Sequence, residues 1–142
     1  MKKIVTKYAP EAIGPYSQGV ICKNLIFVSG QLPIAEGVLE KEPYKATLNC
    51  LNNILEIVKE GGGNLENISK VNVFVKNIED FKVVNEAYES FFKNHKPARA
   101  FVEVSNLPKD SIIKIQTRRN NRSGKNRSKD NSYDVESRTY LC

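Results

Sequence analysis

The chain has 142 residues, 40% apolar and 27% charged, which suits one globular domain with a proper core. No apolar run approaches bilayer length and Lys2-Lys3 is followed by no apolar stretch, so neither a membrane span nor a leader is expected and a cytoplasmic location is. The net charge of +6 is uneven: residues 1–116 carry 15 Lys/Arg against 13 Asp/Glu, residues 117–142 carry 7 against 3, so the basic character belongs mostly to the C-terminal segment.

Three cysteines, Cys22, Cys50 and Cys142, show no CxxC or Cys/His spacing. That argues against a disulfide framework and against a zinc site. In chain order, residues 8–19 read YAPEAIGPYSQG, and the Pro and Gly punctuation predicts a fixed loop. Tyr16 follows Gly14-Pro15 there, an aromatic hydroxyl beside a stiff turn; a packed tyrosine bonded to the backbone is the plainer reading. Residues 19–30 predict a hairpin turning at Lys23-Asn24, with Asn tolerating positive φ. Its second strand ends at Ser29-Gly30, small residues that let backbone groups approach a ligand or else form a bulge.

Pro43 opens a helix reaching about Glu60, with Gly61-Gly62-Gly63 as its stop and Leu48, Leu51, Leu55 and Val58 as a core stripe. The glycines follow a helix and carry no Lys-Ser/Thr behind them, which excludes a phosphate loop. Residues 70–76 alternate Val71, Val73 and Val75 as a strand, with Phe74 on the other side. Asn77 and Asp80 can cap a second helix whose buried stripe is Phe81, Val84, Tyr88, Phe91 and Phe92, with Asn85 one residue off it. His95, the only histidine, falls in the exit loop with no Cys or Asp partner for nucleophilic catalysis.

Residues 97–116, PARAFVEVSNLPKDSIIKIQ, give two strand-like runs joined by a Leu-Pro-Lys-Asp turn. Arg99, Phe101 and Glu103 share one face of the first run, Ala100, Val102 and Val104 the other. An arginine among apolar strand residues is costly to cover without an anion, so Arg99 is a candidate anion-binding group; the bland alternative is that it snorkels to water. The order hairpin, helix, strand, helix, two strands predicts an α+β two-layer domain with both helices on one sheet face. Phe74 and one set of the residues 25–28 must then lie on the uncovered face, which predicts a homo-oligomer.

Four motifs, AIGPYSQG (12–19), VSGQLPI (28–34), VNVFVKNIEDFKVVNEAYESFF (71–92) and PARAFVEVSNLPKD (97–110), resemble the Rid (YjgF-like) family over about residues 2–116. The resemblance implies a chorismate-mutase-like α+β fold, a mixed sheet with two helices, assembled as a trimeric barrel with ligand sites between subunits. It also implies deamination of 2-iminobutanoate and 2-iminopropanoate, reactive imines that hydrolyse to 2-oxo acids and ammonia, without metal or cofactor. Position by position, Arg99 resembles the family arginine that grips the substrate carboxylate, and Tyr16, Ser29, Gly30 and Asn85 resemble pocket residues.

The chain departs from the family at the last strand. The glutamate thought to position or activate the attacking water falls on Lys114, and a second glutamate falls on Gln116. A lysine cannot replace a carboxylate base unless its pKa is strongly depressed. Phe101 stands where bacterial relatives often have Cys, which shrinks the pocket. The resemblance stops beyond Gln116, so residues 117–142 are expected to form a basic, disordered tail, arising from a reading-frame change. Two alternatives follow: a trimeric module that binds small acids without turnover, and an RNA-binding or RNA-cleaving relative whose phosphate contacts come only from the tail.

Overall fold

The fold is seen in a computed structural model that describes residues 1–120. It begins with a short strand β1 (Lys2–Ile4) and a hairpin of β2 (Gly19–Cys22) and β3 (Leu25–Gln31). A two-stranded ribbon, β4 (Ile34–Ala35) with β5 (Val38–Leu39), leads into helix α1 (Pro43–Glu60). Then come β6 (Ile68–Val75), α2 (Phe81–Phe92), β7 (Ala98–Glu103) and β8 (Ile113–Asn120). The main sheet runs β1-β2-β3-β8-β6-β7; β6 and β7 are parallel and the other neighbours antiparallel. The α+β two-layer reading is therefore correct, with β1 and the β4–β5 ribbon added to the expected elements.

Both helices lie on one face because every central strand presents its branched residues there. Ile26 and Val28, Val71, Val73 and Val75, and Ile113 and Ile115 are buried against α1 residues Cys50, Leu51, Ile54, Ile57 and Val58. Removing one such side chain, as in Ile54→Ala, costs about 2–5 kcal/mol of transfer and cavity energy. The α1 stripe is rotated from the expected one: Cys50, Ile54 and Ile57 join Leu51 and Val58, while Leu48 and Leu55 are only half-buried. On α2, Val84 and Phe92 are buried, but Phe81 stays 44% exposed at the helix start.

The caps follow local chemistry. Pro43 sits in the first turn of α1, and Glu42 accepts from the Tyr44 and Lys45 N–H groups, which holds its carboxyl below the usual range. Asn77 accepts from the Glu79 N–H in a 3-10 turn that precedes α2, whereas Asp80 makes no side-chain cap bond. In the β2–β3 turn the positive φ falls on Lys23 rather than on Asn24.

One boundary moves. β8 continues to Asn120, four residues past Gln116, where a tail was expected to begin. Its position explains why: Thr117, Arg118, Arg119 and Asn120 pair with Val28, Phe27, Ile26 and Leu25 of β3 while β6 takes the other edge. A ladder on both sides fixes the backbone even where side chains are polar. The remaining expectations for the tail fall on residues 121–142, outside the described residues.

Candidate functional site

Arg99 enters β7 beside Val71 of β6, so its side chain stands on the helix side of the sheet. There its Nη1 donates to Asn85 Oδ1 on α2 at 2.7 Å. The guanidinium carbon lies 4.8 Å from the Tyr88 ring centre, 5.6 Å from Phe101 and 5.8 Å from Phe81. Phe81 and Phe101 meet edge to face at 4.9 Å. Three aromatic rings and one amide thus hold a half-buried cation that, among the described residues, has no carboxylate partner. The expected outcome in which Arg99 merely snorkels to water does not describe this arrangement. Asn85, one residue off the helix stripe, is what aims it.

Tyr88 adds a second unusual group. Its hydroxyl is buried and, among the described residues, has no hydrogen-bond partner, and burial pushes its pKa up to about 12 although the nearby Arg99 charge works the other way. The sequence marked Tyr88 only as a core residue.

A second cluster forms around the β3 bulge between Val28 and Gln31. Ser29 Oγ donates to the Ser17 carbonyl at 2.6 Å, and the Ser29 N–H to the Gln18 carbonyl at 2.9 Å. Gln18 is the residue that fixes the 8–19 loop, and sequence reasoning passed over it. Its Oε1 accepts from the Thr6 N–H at 2.8 Å, and its Nε2 donates to the carbonyls of Thr6 at 3.0 Å and Pro10 at 2.9 Å. Tyr16, on the same loop, is 54% exposed, so the packed reading of this tyrosine fails within one chain. Gly14 permits the turn before it, with φ of +122°.

Lys114 belongs to this second cluster. A Cβ added at Gly30 would overlap Lys114 Cε, so the lysine stem lies across the bare glycine. Lys114 pairs with Phe74, which in turn pairs with Val102, on the face away from the helices. Arg99 and Lys114 therefore stand on opposite faces of the sheet within a chain. The candidate residues divide into two groups: Arg99, Asn85 and Phe101 on the helix side, and Tyr16, Ser29, Gly30 and Lys114 near the loop and bulge.

The chain matches known proteins along nearly all of this fold. Residues 6–118 match the family described as Endoribonuclease L-PSP. The chain belongs to the Rid (YjgF-like) family. A RutC family protein of Pyrococcus abyssi is 44% identical over 116 residues, covering 80% of this chain and 91% of the relative. The 2-iminobutanoate/2-iminopropanoate deaminase of Escherichia coli K12 is 43% identical over 120 residues, covering 81% and 94%. Among solved structures, the YjgF gene product of Escherichia coli superimposes with a TM-score of 0.83 at 42% identity, covering 86% of this chain and all of the other. At the level of the Rid family, a hydrolytic deaminase of imino acids is thus supported, and the fold is that of YjgF-like proteins.

No helix among the described residues is long and apolar enough to cross a membrane, and no group of three or more metal-ligating side chains occurs among them.

Proposed function

We propose that this Rid-family chain hydrolyses small 2-imino acids, such as 2-iminobutanoate and 2-iminopropanoate, to 2-oxo acids and ammonia. The observation that carries this is Arg99: a half-buried guanidinium, oriented by Asn85 and walled by aromatic rings, with no carboxylate partner among the described residues. Such a group offers paired N–H donors to the carboxylate of a small acid. Fixing that carboxylate sets the imine carbon in place for attack. Water adds to the C=N bond to give a carbinolamine, its proton passes to nitrogen, and the C–N bond breaks to release ammonia and leave the C=O of the 2-oxo acid.

The division of the candidate residues favours a site made by two copies. Arg99, Asn85 and Phe101 of one copy would face Tyr16, Ser29, Gly30 and Lys114 of another, in a homotrimer. Tyr16, exposed in one chain, gains a role in that arrangement. Lys114 favours a second reading, a module that binds 2-oxo or amino acids without turnover, because a cation stands where water activation calls for a carboxylate. A dehydratase-coupled assay of imine disappearance separates the two. Accelerated imine loss with the native chain supports the deaminase. No acceleration by the native chain, with acceleration restored in Lys114→Glu, supports the binding module.

A further inference from the structure

The segment 97–116 carries both Arg99 and Lys114, and its carboxylates are Glu103 and Asp110. Each of those is engaged elsewhere. Glu103 Oε1 accepts from the Ile78 N–H at 2.9 Å, and Asp110 pairs with Lys76. Arg99 and Lys114 are half-buried, and among the described residues neither has an ion-pair partner. Lys114 does not swing free of the strand: its Cγ, Cδ and Cε all crowd the place a Cβ of Gly30 would take. Its register partner on β6 is Phe74, and the next residue on its own side of β8 is Gln116, so these neighbours offer it a ring and an amide rather than an anion. A cation partly withdrawn from water and left without a counter-charge is costly unless a ligand supplies that charge.

We infer that the acid bound at this site carries a second carboxylate at the far end of a short side chain, as 2-iminosuccinate and 2-iminoglutarate do. Arg99 of one copy takes the carboxylate beside the imine carbon, where its rigid fork fixes the reacting atoms, and Lys114 of another copy takes the distal carboxylate. A lysine suits the distal role because its charge sits on a flexible stem that follows side chains of different length. A carboxylate at position 114 would repel the second acid group; a lysine attracts it. The inference rests on the two-copy site proposed above, and it holds whether the bound acid is hydrolysed or only held.

2-Oxoglutarate and 2-oxopentanoate are the probes, equal in chain length and ending in a carboxylate or a methyl group. Calorimetric titration of the native full chain is expected to give a Kd at least about tenfold lower for 2-oxoglutarate, as one hydrogen bond between charged groups allows. In Lys114→Gln, at the same oligomeric size, the two Kd values are expected to converge, whereas Lys114→Arg keeps the preference. Lys45→Gln removes an equal charge from an exposed position of α1 and is expected to keep it too. Equal Kd values for the two acids in the native chain, with both weakened in Arg99→Ala, would overturn the second contact and leave the Arg99 site standing. A preference lost as fully in Lys45→Gln as in Lys114→Gln would assign it to diffuse positive charge and overturn the inference. Unchanged binding of both acids in Arg99→Ala would overturn the underlying site, and the inference with it.

Discussion

The Arg99 guanidinium and the Asn85 side-chain amide meet at 2.7 Å, joining the edge strand β7 to helix α2. This contact holds the cation by a neutral acceptor and leaves its charge available. Asn85→Ala should therefore raise the Kd for 2-oxobutanoate by about tenfold, the loss of one hydrogen bond to a charged group. Asn85→Asp should weaken binding further, because the new carboxylate competes with the ligand for the guanidinium. Calorimetry on both variants checks the order; tighter binding by the Asp variant would contradict it.

Gly30 and Lys114 are coupled through space. The side chain that would meet an alanine Cβ is the flexible end of a lysine, so Gly30→Ala should displace Lys114 without unfolding the strand. A stability loss of about 1 kcal/mol or less is expected, and a double-mutant cycle with Lys114→Ala should recover about 0.5 kcal/mol or more of it. Chemical denaturation of the four proteins gives the coupling, and a value near zero would remove the contact from the account.

Arg119 is the residue least suited to its place. It is 2% exposed, and its Nε and Nη1 find no partner among the described residues, although Nη2 donates to Asn67 Oδ1 at 2.9 Å. Burial lowers its pKa, the mark of a charge taken from water without compensation. It fits only because Gly63 has no side chain: a Cβ there would overlap the guanidinium. Arg119→Met should stabilise the chain by about 1–3 kcal/mol, read as a higher denaturation midpoint. Asn67 Oδ1 keeps its bond from the Asn64 N–H in that variant, and the only other acceptor released is the Gly62 carbonyl, a long 3.4 Å contact.

Tyr88 predicts an alkaline dependence. Burial raises its pKa to about 12, above the ordinary value near 10, so the unfolded chain loses this proton first. The stability tied to the protonated phenol is complete below about pH 10 and is lost as the pH climbs toward 12. Tyr88→Phe should flatten that part of the native stability profile. It should also be neutral or stabilising at pH 7, since it removes a buried hydroxyl without a partner. Denaturation midpoints of both proteins between pH 7 and 11 test this, and parallel profiles would contradict it.

Much of this architecture was legible from periodicity. Val71, Val73 and Val75 alternate cleanly, and Pro43 with the glycine run frames α1, because one-sided burial writes itself into spacing. The rotation of the α1 stripe was hidden: Cys50, Ile54 and Ile57 are as apolar as Leu48 and Leu55, and only the approach angle of the sheet chooses between them. The end of β8 was hidden for a different reason. Pairing with β3 holds Thr117 to Asn120 and pairing with β6 holds Thr117 to Arg119, and such support from distant segments leaves no local pattern. Arg99 could be singled out from its strand register and Asn85 from the family resemblance, but their contact and the buried Tyr88 hydroxyl depend on packing between elements far apart in the chain.

The account rests on a small carboxylate being gripped by Arg99, and imine turnover in Arg99→Ala beside the native chain tests this most directly. With both proteins at the same oligomeric size, the account predicts that the native chain accelerates loss of 2-iminobutanoate and that the variant retains a few per cent of that acceleration or less. Equal rates in the two proteins would contradict it.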